Sequence, residues 1–255
     1  MKTKPTLKSL MFVALFALMS FSSFATPEAD STQKKSRWNF SYFLGPAVLY
    51  PLMPLADGYN IPTYDIEKLE GFSFRPGYTH FSIKEISAKV RGGLIIGISS
   101  SFQLSDRFSL NFSPSASFLS TEINFSFLIF SPTDTKEISF YSRTSEQIEL
   151  PISIGLTPFQ SKPNFAINAG VSYKWHTLRY NKISNVNREQ VIYTDNQFDF
   201  FLSSKLFTKN LRKGVELRFS YSLHDMIADS EKSTFFVKPI ESLHFMSAYL
   251  LFHIW

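Results

Sequence analysis

An alternation of apolar and polar residues with a period of two runs through residues 107–118, and it constrains the fold more than any other feature of the chain. The apolar positions are Phe108, Leu110, Phe112, Pro114, Ala116 and Phe118, and the polar positions between them are Arg107, Ser109, Asn111, Ser113, Ser115 and Ser117. Only a β-strand directs alternate side chains to opposite faces, whereas a helix would spread this pattern around its circumference. The same stripe recurs along most of the chain. We therefore predict an all-β fold, a transmembrane antiparallel up-and-down β-barrel of about eight strands, in the outer membrane of a Gram-negative bacterium.

The N-terminus has the pattern of a secretory signal peptide. Its parts are a basic start with Lys2, Lys4 and Lys8, an apolar core at 10–21, and small residues at Ser23 and Ala25. We predict cleavage after Ala25, a periplasmic lead-in over 26–37 and the barrel over 38–255. The alternative is an N-terminal membrane helix. No later segment approaches about 18 consecutive apolar residues, so helical membrane spans are not expected beyond it.

Composition excludes several chemistries. The chain has no cysteine, which removes disulfides, thiolate catalysis and Cys-ligated zinc. The formal net charge of +5 falls to +2 when the three lysines of the signal peptide are removed, so charge predicts no nucleic-acid partner. The 5 histidines lack the clustered spacing of metal ligands. We predict no cofactor and no metal.

Turn signals between the stripes divide the barrel into strands. We predict strands at 38–50, 90–104, 107–130, 138–156, 165–176, 198–206, 215–224 and 240–255. Residues 51–87 are interpreted as one large loop, with a short hairpin or one helical turn near 65–70 as the alternatives inside it. In the third strand the apolar positions change from even to odd numbers near Phe118, and we attribute this change to a β-bulge. Connections after strands two, four and six are short and the others are generally longer, which is typical of periplasmic turns and outer loops, with both termini in the periplasm.

The faces opposite the apolar stripes carry charged residues. This predicted interior polar cluster consists of Arg91, Arg143, Glu149, Lys174, Asp199, Glu216 and Arg218, accompanied by His176 and Lys205. Ionised groups in a narrow interior must be paired or hydrated. Two interpretations follow: an ion-paired plug, which a barrel of about eight strands is narrow enough to hold, or a polar pore.

Catalysis has one candidate pair, His224 with Asp225, near the outer end of a strand. A serine nucleophile would need such a base within hydrogen-bond reach. Serine is common on every polar face here, so chance proximity is expected. We therefore predict that the protein is not an enzyme.

The C-terminal strand resembles the terminal signature that barrel-insertion machinery recognises. Its matching residues are Phe245, Tyr249, Leu251 and Trp255, whereas Ser247 and His253 interrupt the spacing. The resemblance implies two partners, the insertion machinery and the lipids of the outer membrane.

A broader resemblance is carried by residues 93–118, by the ELPISI segment at 149–154 and by FAINAGVSYKW at 165–175. In this order of motifs the chain resembles the PorT-like outer-membrane β-barrel families of Bacteroidota. The resemblance implies a barrel in the outer membrane and a role in type IX secretion or gliding, with secretion-system proteins as partners.

Together these observations predict a non-enzymatic barrel with a structural or accessory role. The alternative is a narrow passive channel for small solutes. A surface lipid or peptide hydrolase is the third class of function.

Overall fold

Ten β-strands form a single sheet in the computed structural model, which describes residues 37–57, 63–65, 78–159, 164–183, 194, 196–208, 213–227 and 239–254. The strands are β1 (Trp38–Leu52), β2 (Thr63–Asp65), β3 (His80–Gln103), β4 (Phe108–Phe112), β5 (Ser115–Phe130), β6 (Thr135–Leu156), β7 (Phe165–Ile183), β8 (Asn196–Phe207), β9 (Lys213–Ser222) and β10 (His244–Ile254). Among these residues no helix has the length and apolar character needed to cross a membrane. The predicted signal peptide and residues 26–36 lie outside the described part of the chain.

The sheet closes into a barrel because β1 pairs on one side with β3 and on the other with β10, both antiparallel. The remaining walls are antiparallel neighbours in chain order, with β4 and β5 both lying between β3 and β6. These two are one wall strand interrupted at Ser113 and Pro114, where proline supplies no backbone amide. With β2 as a short addition beside β3, the wall has eight strands, so the predicted fold class is confirmed.

The alternating side chains at 107–118 point to opposite sides of the barrel wall, as a β-strand requires. Phe108, Leu110, Phe112 and Phe118 are exposed on the outside, whereas Asn111, Ser113, Ser115 and Ser117 are buried inside. The same arrangement holds in β1, β8 and β9, where exposed and buried residues alternate almost without interruption. An apolar exterior around a polar interior is the arrangement that a barrel needs when lipid replaces water outside.

We name the two ends of the barrel by their connections. The turn end carries the β3–β4, β6–β7 and β8–β9 connections, together with the start of β1 and the end of β10. The loop end carries the other connections. Toward the loop end β3, with 24 residues, and β6, with 22, are much longer than the roughly 9–11 residues that cross a bilayer.

The change of apolar positions near Phe118 has a cause other than the predicted bulge. The β5–β6 register does shift between Ser117 and Thr121, but odd-numbered residues remain buried on both sides of that shift. What changes is the chemistry of the interior, from Ser115 and Ser117 to Leu119 and Ile123. A register irregularity therefore lies where the bulge is predicted, but it does not cause the flip: β5 keeps its inward face, and that face becomes apolar.

This inward apolar face belongs to a loop-end core. Its members from the loop-end parts of β3 and β5 are Phe81, Ile83, Ile86, Leu119, Ile123, Phe125, Phe127 and Ile129. The outward side chains at this level, including Lys84, Glu85 and Glu137, are exposed and polar. The hydrogen bond from Lys84 to Glu137, at 2.5 Å, and a second from Ser126 hold the pKa of the Glu137 carboxyl below its ordinary value. The wall here follows the rule for water outside and apolar packing inside.

Three predicted boundaries are wrong because the loop-end strands carry no lipid stripe. Residues 80–87 belong to β3 rather than to the large first loop, since their apolar side chains point inward. Only residues 131–134 connect β5 to β6, so this connection is short. Ile240 precedes β10 and forms an isolated bridge with Leu55 instead of starting the last strand.

Segments from two loops cover the loop end. The amide of Ala56 donates to Pro239 O at 2.9 Å, and the amide of Glu241 donates to Pro54 O at 3.0 Å. Met226, Ile227, Ile240 and Leu243 from the β9–β10 connection are buried in the loop-end core. Asp225 holds this connection in place, because its Oδ1 accepts the amides of Ile227 and Leu243, both at 3.0 Å.

Candidate functional site in the barrel interior

Five of the seven predicted interior residues lie buried inside the barrel: Glu149, Lys174, Asp199, Glu216 and Arg218. Each occupies an inward position of β6, β7, β8 or β9, on the face opposite an exposed apolar residue. The backbones of Arg91 and Arg143 lie in β3 and β6, but their side chains fall outside the described part of the structure. Lys205 and His176 are buried as well.

A first interior network centres on Lys174, whose side chain is 1% exposed. Its Nζ lies 2.6 Å from Asp199 Oδ2 and donates to Tyr249 OH at 2.8 Å and to Ser220 Oγ at 3.1 Å. Gln197 connects Asp199 to His176, with contacts of 2.7 Å and 2.9 Å. Charge and hydrogen-bonding capacity are thus met by neighbouring strands, as a buried ammonium requires.

Tyr249 carries this network across the barrel. Its hydroxyl accepts from Lys174 and donates to Glu149 Oε1 at 3.1 Å. Tyr249 lies on β10 and Glu149 on β6, which are diametrically opposite in the order of the wall strands. A direct hydrogen bond therefore joins opposite walls of the barrel at this level.

A second network, toward the turn end, centres on the fully buried carboxylate of Glu216. Arg218 Nε lies 3.0 Å from Oε1, while Lys205 Nζ at 3.3 Å and His253 Nε2 at 2.9 Å approach Oε2. Lys205 also donates to Ser99 Oγ at 3.4 Å, which joins β8 to the opposite strand β3. The Arg218 guanidinium lies over the Phe201 ring at 5.1 Å, so part of its surface rests on an aromatic face.

The charges of these two networks balance. Lys174, Lys205 and Arg218 face Glu149, Asp199 and Glu216, and each ion contacts a partner of opposite charge or a hydroxyl group. Neutral hydrogen bonds continue the filling, since Asn111 donates to Asn168 at 3.2 Å and Asn168 donates to Ser203 at 3.0 Å. This arrangement pairs the described ions instead of leaving a row of like charges for a passing ion, although Arg218 Nη1 and the amide of Gln147 are buried without a hydrogen-bond partner.

The alternation alone does not assign two interior residues, Tyr249 and His253, to the lumen. In the sequence Tyr249 stands out only as part of the C-terminal signature. The signal was present, because Ser247 and His253 interrupt the apolar spacing on the same face as Tyr249. Polar residues that interrupt an apolar row in a terminal strand mark the lumen side of that strand.

The signature residues Phe245, Tyr249 and Leu251 point inward and are buried. The outward face of β10 is formed by Met246, Leu250, Phe252 and Ile254, which are exposed. Trp255 lies outside the described residues. Recognition of this strand by insertion machinery stays a prediction.

The catalytic candidates have structural contacts. His224 Nε2 lies 3.2 Å from Asn196 O, and Asp225 orders the β9–β10 connection. A different set has the spacing of a serine–histidine–acid triad: Ser41 Oγ lies 3.1 Å from His253 Nδ1, and His253 Nε2 contacts Glu216. Ser41 is 3% exposed and Glu216 is shared with two cations, so the set ties β1, β10 and β9 together inside the wall.

Fold and interior together define the class: an eight-stranded transmembrane β-barrel whose interior is crossed by its own side chains. No protein-family model and no curated protein matches the chain.

Among solved structures the chain is similar to the outer membrane protein OprG from Pseudomonas aeruginosa, at 10% identity and TM-score 0.37, over 84% of this chain and 92% of that one. It is also similar to Ail, the attachment invasion locus protein of Yersinia pestis, at 6% identity and TM-score 0.30, over 84% and 96% of the chains. A third similarity is to the CymD monoaromatic hydrocarbon channel, at 9% identity and TM-score 0.32, over 87% and 70%. With values this low, the function proposed below rests on the residues of this chain.

Proposed function

We propose that the protein is a non-enzymatic, non-conducting barrel of the bacterial outer membrane with a structural or accessory role. The observation that carries this proposal is the pair of contacts between opposite walls, Tyr249 to Glu149 and Lys205 to Ser99. A lumen crossed twice by balanced polar groups is suited to stiffening the barrel and is unsuited to passing solutes. The exposed apolar exterior supports the membrane location.

The proposed orientation places both termini and the turn end in the periplasm and the loop end outside the cell. In support, the longest wall strands extend toward the loop end, where their outward side chains become polar. This orientation accords with a signal peptide over 1–25 followed by a lead-in.

We further propose that the accessory role serves type IX secretion or gliding, with secretion-system proteins as partners at the loops or turns. The resemblance of residues 93–118, 149–154 and 165–175 to PorT-like barrels supports this finer assignment. The competing functions are a narrow channel and a hydrolase, and neither has a described feature that favours it over a filled barrel.

Fractionation tests the assignment to an outer-membrane barrel, and a deletion strain separately tests the secretion role. The barrel should be recovered from outer membranes and should migrate differently on SDS gels before and after boiling, because closure pairs every strand edge. Deleting the gene from a Bacteroidota host should reduce secretion of type IX cargo, and expression of the wild-type chain should restore it. Normal cargo secretion in the deletion strain would contradict the secretion role while leaving the barrel assignment intact.

A further inference from the structure

The two ends of the barrel differ strongly in charge. At the turn end, the segments that start, end or connect strands contain six basic residues, Arg37, Arg107, Lys162, Lys209, Arg212 and Lys213, and one acidic residue, Asp106. The loop-end connections at 53–79, 131–134, 184–195 and 223–243 contain five basic and eleven acidic residues. By sequence the turn end is therefore the basic end of the barrel, and its described cations are Arg37, Arg107 and Lys213.

Arg37, Arg107 and Lys213 are exposed, and each begins or directly precedes a wall strand. The backbones of Arg37 and Arg107 are held, because Arg37 O accepts the amide of Gln103 and Arg107 O accepts the amide of Thr157, both at 2.8 Å. The backbones of Arg37 and Arg107 are thus ordered at the level where the apolar belt ends. Aromatic side chains accompany them, as Trp38 lies 4.8 Å from Phe102 between ring centroids.

An apolar groove opens beside Lys213. It has a volume of about 530 Å³ and lies at the turn-end rim of β8, β9 and β10. Its apolar lining includes Leu206, Val215, Phe252 and Ile254, which belong to the exposed exterior. Leu206 pairs with Val215, and Val215 pairs with Phe252, so the three form one continuous row across the strands. The groove is therefore continuous with the surface that faces lipid.

We propose that the turn end binds an anionic phospholipid, with the headgroup phosphate at Lys213 and one acyl chain in the groove lined by Leu206, Val215 and Phe252. Charge complementarity selects the headgroup, because the rim is cationic and the opposite end is acidic. Basic residues beside an apolar membrane surface attract anionic lipids. The proposal rests on the proposed membrane location and orientation, in which this rim meets the inner leaflet.

Native mass spectrometry of the full chain purified from outer membranes tests the site, with dioleoyl phosphatidylglycerol and dioleoyl phosphatidylcholine as probes. Wild type should retain phosphatidylglycerol in preference to phosphatidylcholine. The Lys213→Gln variant should lose affinity by roughly fivefold. Removal of one cation at the loop end, Lys89→Gln, is the matched control and should leave retention unchanged.

A second variant separates the groove from the rim. Leu206→Trp fills the groove from an outward position without changing charge. The fraction of barrel that retains either lipid should therefore fall. Equal retention of both lipids by wild type, or the same loss in the loop-end variant, would overturn the proposal. So would binding of soluble peptidoglycan fragments by the same cations without a phosphatidylglycerol preference. The heat-dependent gel shift of each variant reports folding, so failure of the lipid site is distinguishable from failure of the barrel assignment.

Discussion

Lys174 shows at the scale of one residue what this interior requires. A buried ammonium keeps its charge only where carboxylate and hydroxyl oxygens replace water, and Asp199, Tyr249 and Ser220 do so. Removing one partner of such a pair leaves the other charge buried without compensation. The exposed pair of Lys84 and Glu137 has no such constraint, since water solvates both groups.

We expect Lys174→Ala to destabilise the barrel by about 3–5 kcal/mol, because Asp199 would stay buried without its cation. Lys84→Ala is the matched control and should cost no more than about 1 kcal/mol. Urea unfolding in lipid vesicles, followed by tryptophan fluorescence and gel mobility, measures both variants. Equal unfolding midpoints for Lys174→Ala and wild type would contradict the ion-paired interior.

Two adjacent glycines offer a second test at this scale. A Cβ on Gly93 would lie 1.9 Å from Phe118 O, whereas the nearest atom to a Cβ on Gly92 is Ala47 O at 3.7 Å. Gly93→Ala should therefore disturb the β3–β5 ladder and reduce the yield of folded barrel, while Gly92→Ala should fold like wild type. The fraction of heat-modifiable protein after refolding gives the comparison, and indistinguishable fractions would count against this close backbone approach.

At the scale of the element, β5 contains both kinds of barrel wall in one strand, the part that faces lipid and the part at the loop end. Its inward residues are serines toward the turn end and Leu119, Ile123 and Phe125 toward the loop end. Its outward residues change from Phe118 to Asn124 and Ser126, and only Leu128 and Phe130 at the end of the strand are apolar again. The strand thus records the level at which its outer surroundings change from lipid to water.

Phe125→Ala should destabilise the loop-end core by about 3–5 kcal/mol, as expected for a large-to-small change at a buried aromatic site. Ser126→Ala, on the outward face of the same strand, is the control and should have a small effect. Protease sensitivity of the loop end in folded protein measures the difference. Equal cleavage rates for the two variants would place the apolar face of β5 outside the barrel instead.

Alternation predicted the strands of the membrane-spanning part because one simple rule, apolar outside, governs every strand there. The rule reverses toward the loop end, so residues 80–87 were assigned to a loop, and the chemical change at Leu119 was attributed to a bulge. The contacts between interior side chains cannot be predicted from the sequence, for a different reason. Which inward residues meet, such as Tyr249 and Glu149, depends on the stagger of eight strands and on side-chain length across the lumen.

At the scale of the whole molecule, three features act together. The apolar exterior is suited to lipid, the loop-end core and the β9–β10 connection cover one end, and two polar networks cross the lumen below it. A barrel built in this way presents its ends, rather than a passage, to its surroundings. Function is therefore expected at the loops, at the turns and at the lipid-facing rim.

Single-channel recording in planar bilayers tests the filled interior most directly. Insertion of the barrel is first verified in vesicles by the heat-dependent gel shift. An absence of current is then not confused with an absence of inserted protein. We predict that wild-type barrel gives no ohmic current steps, because Tyr249–Glu149 and Lys205–Ser99 contacts join opposite walls. Steady current steps whose ion selectivity changes in Glu149→Ala, with unfolding unaltered by that substitution, would contradict the account and establish a channel.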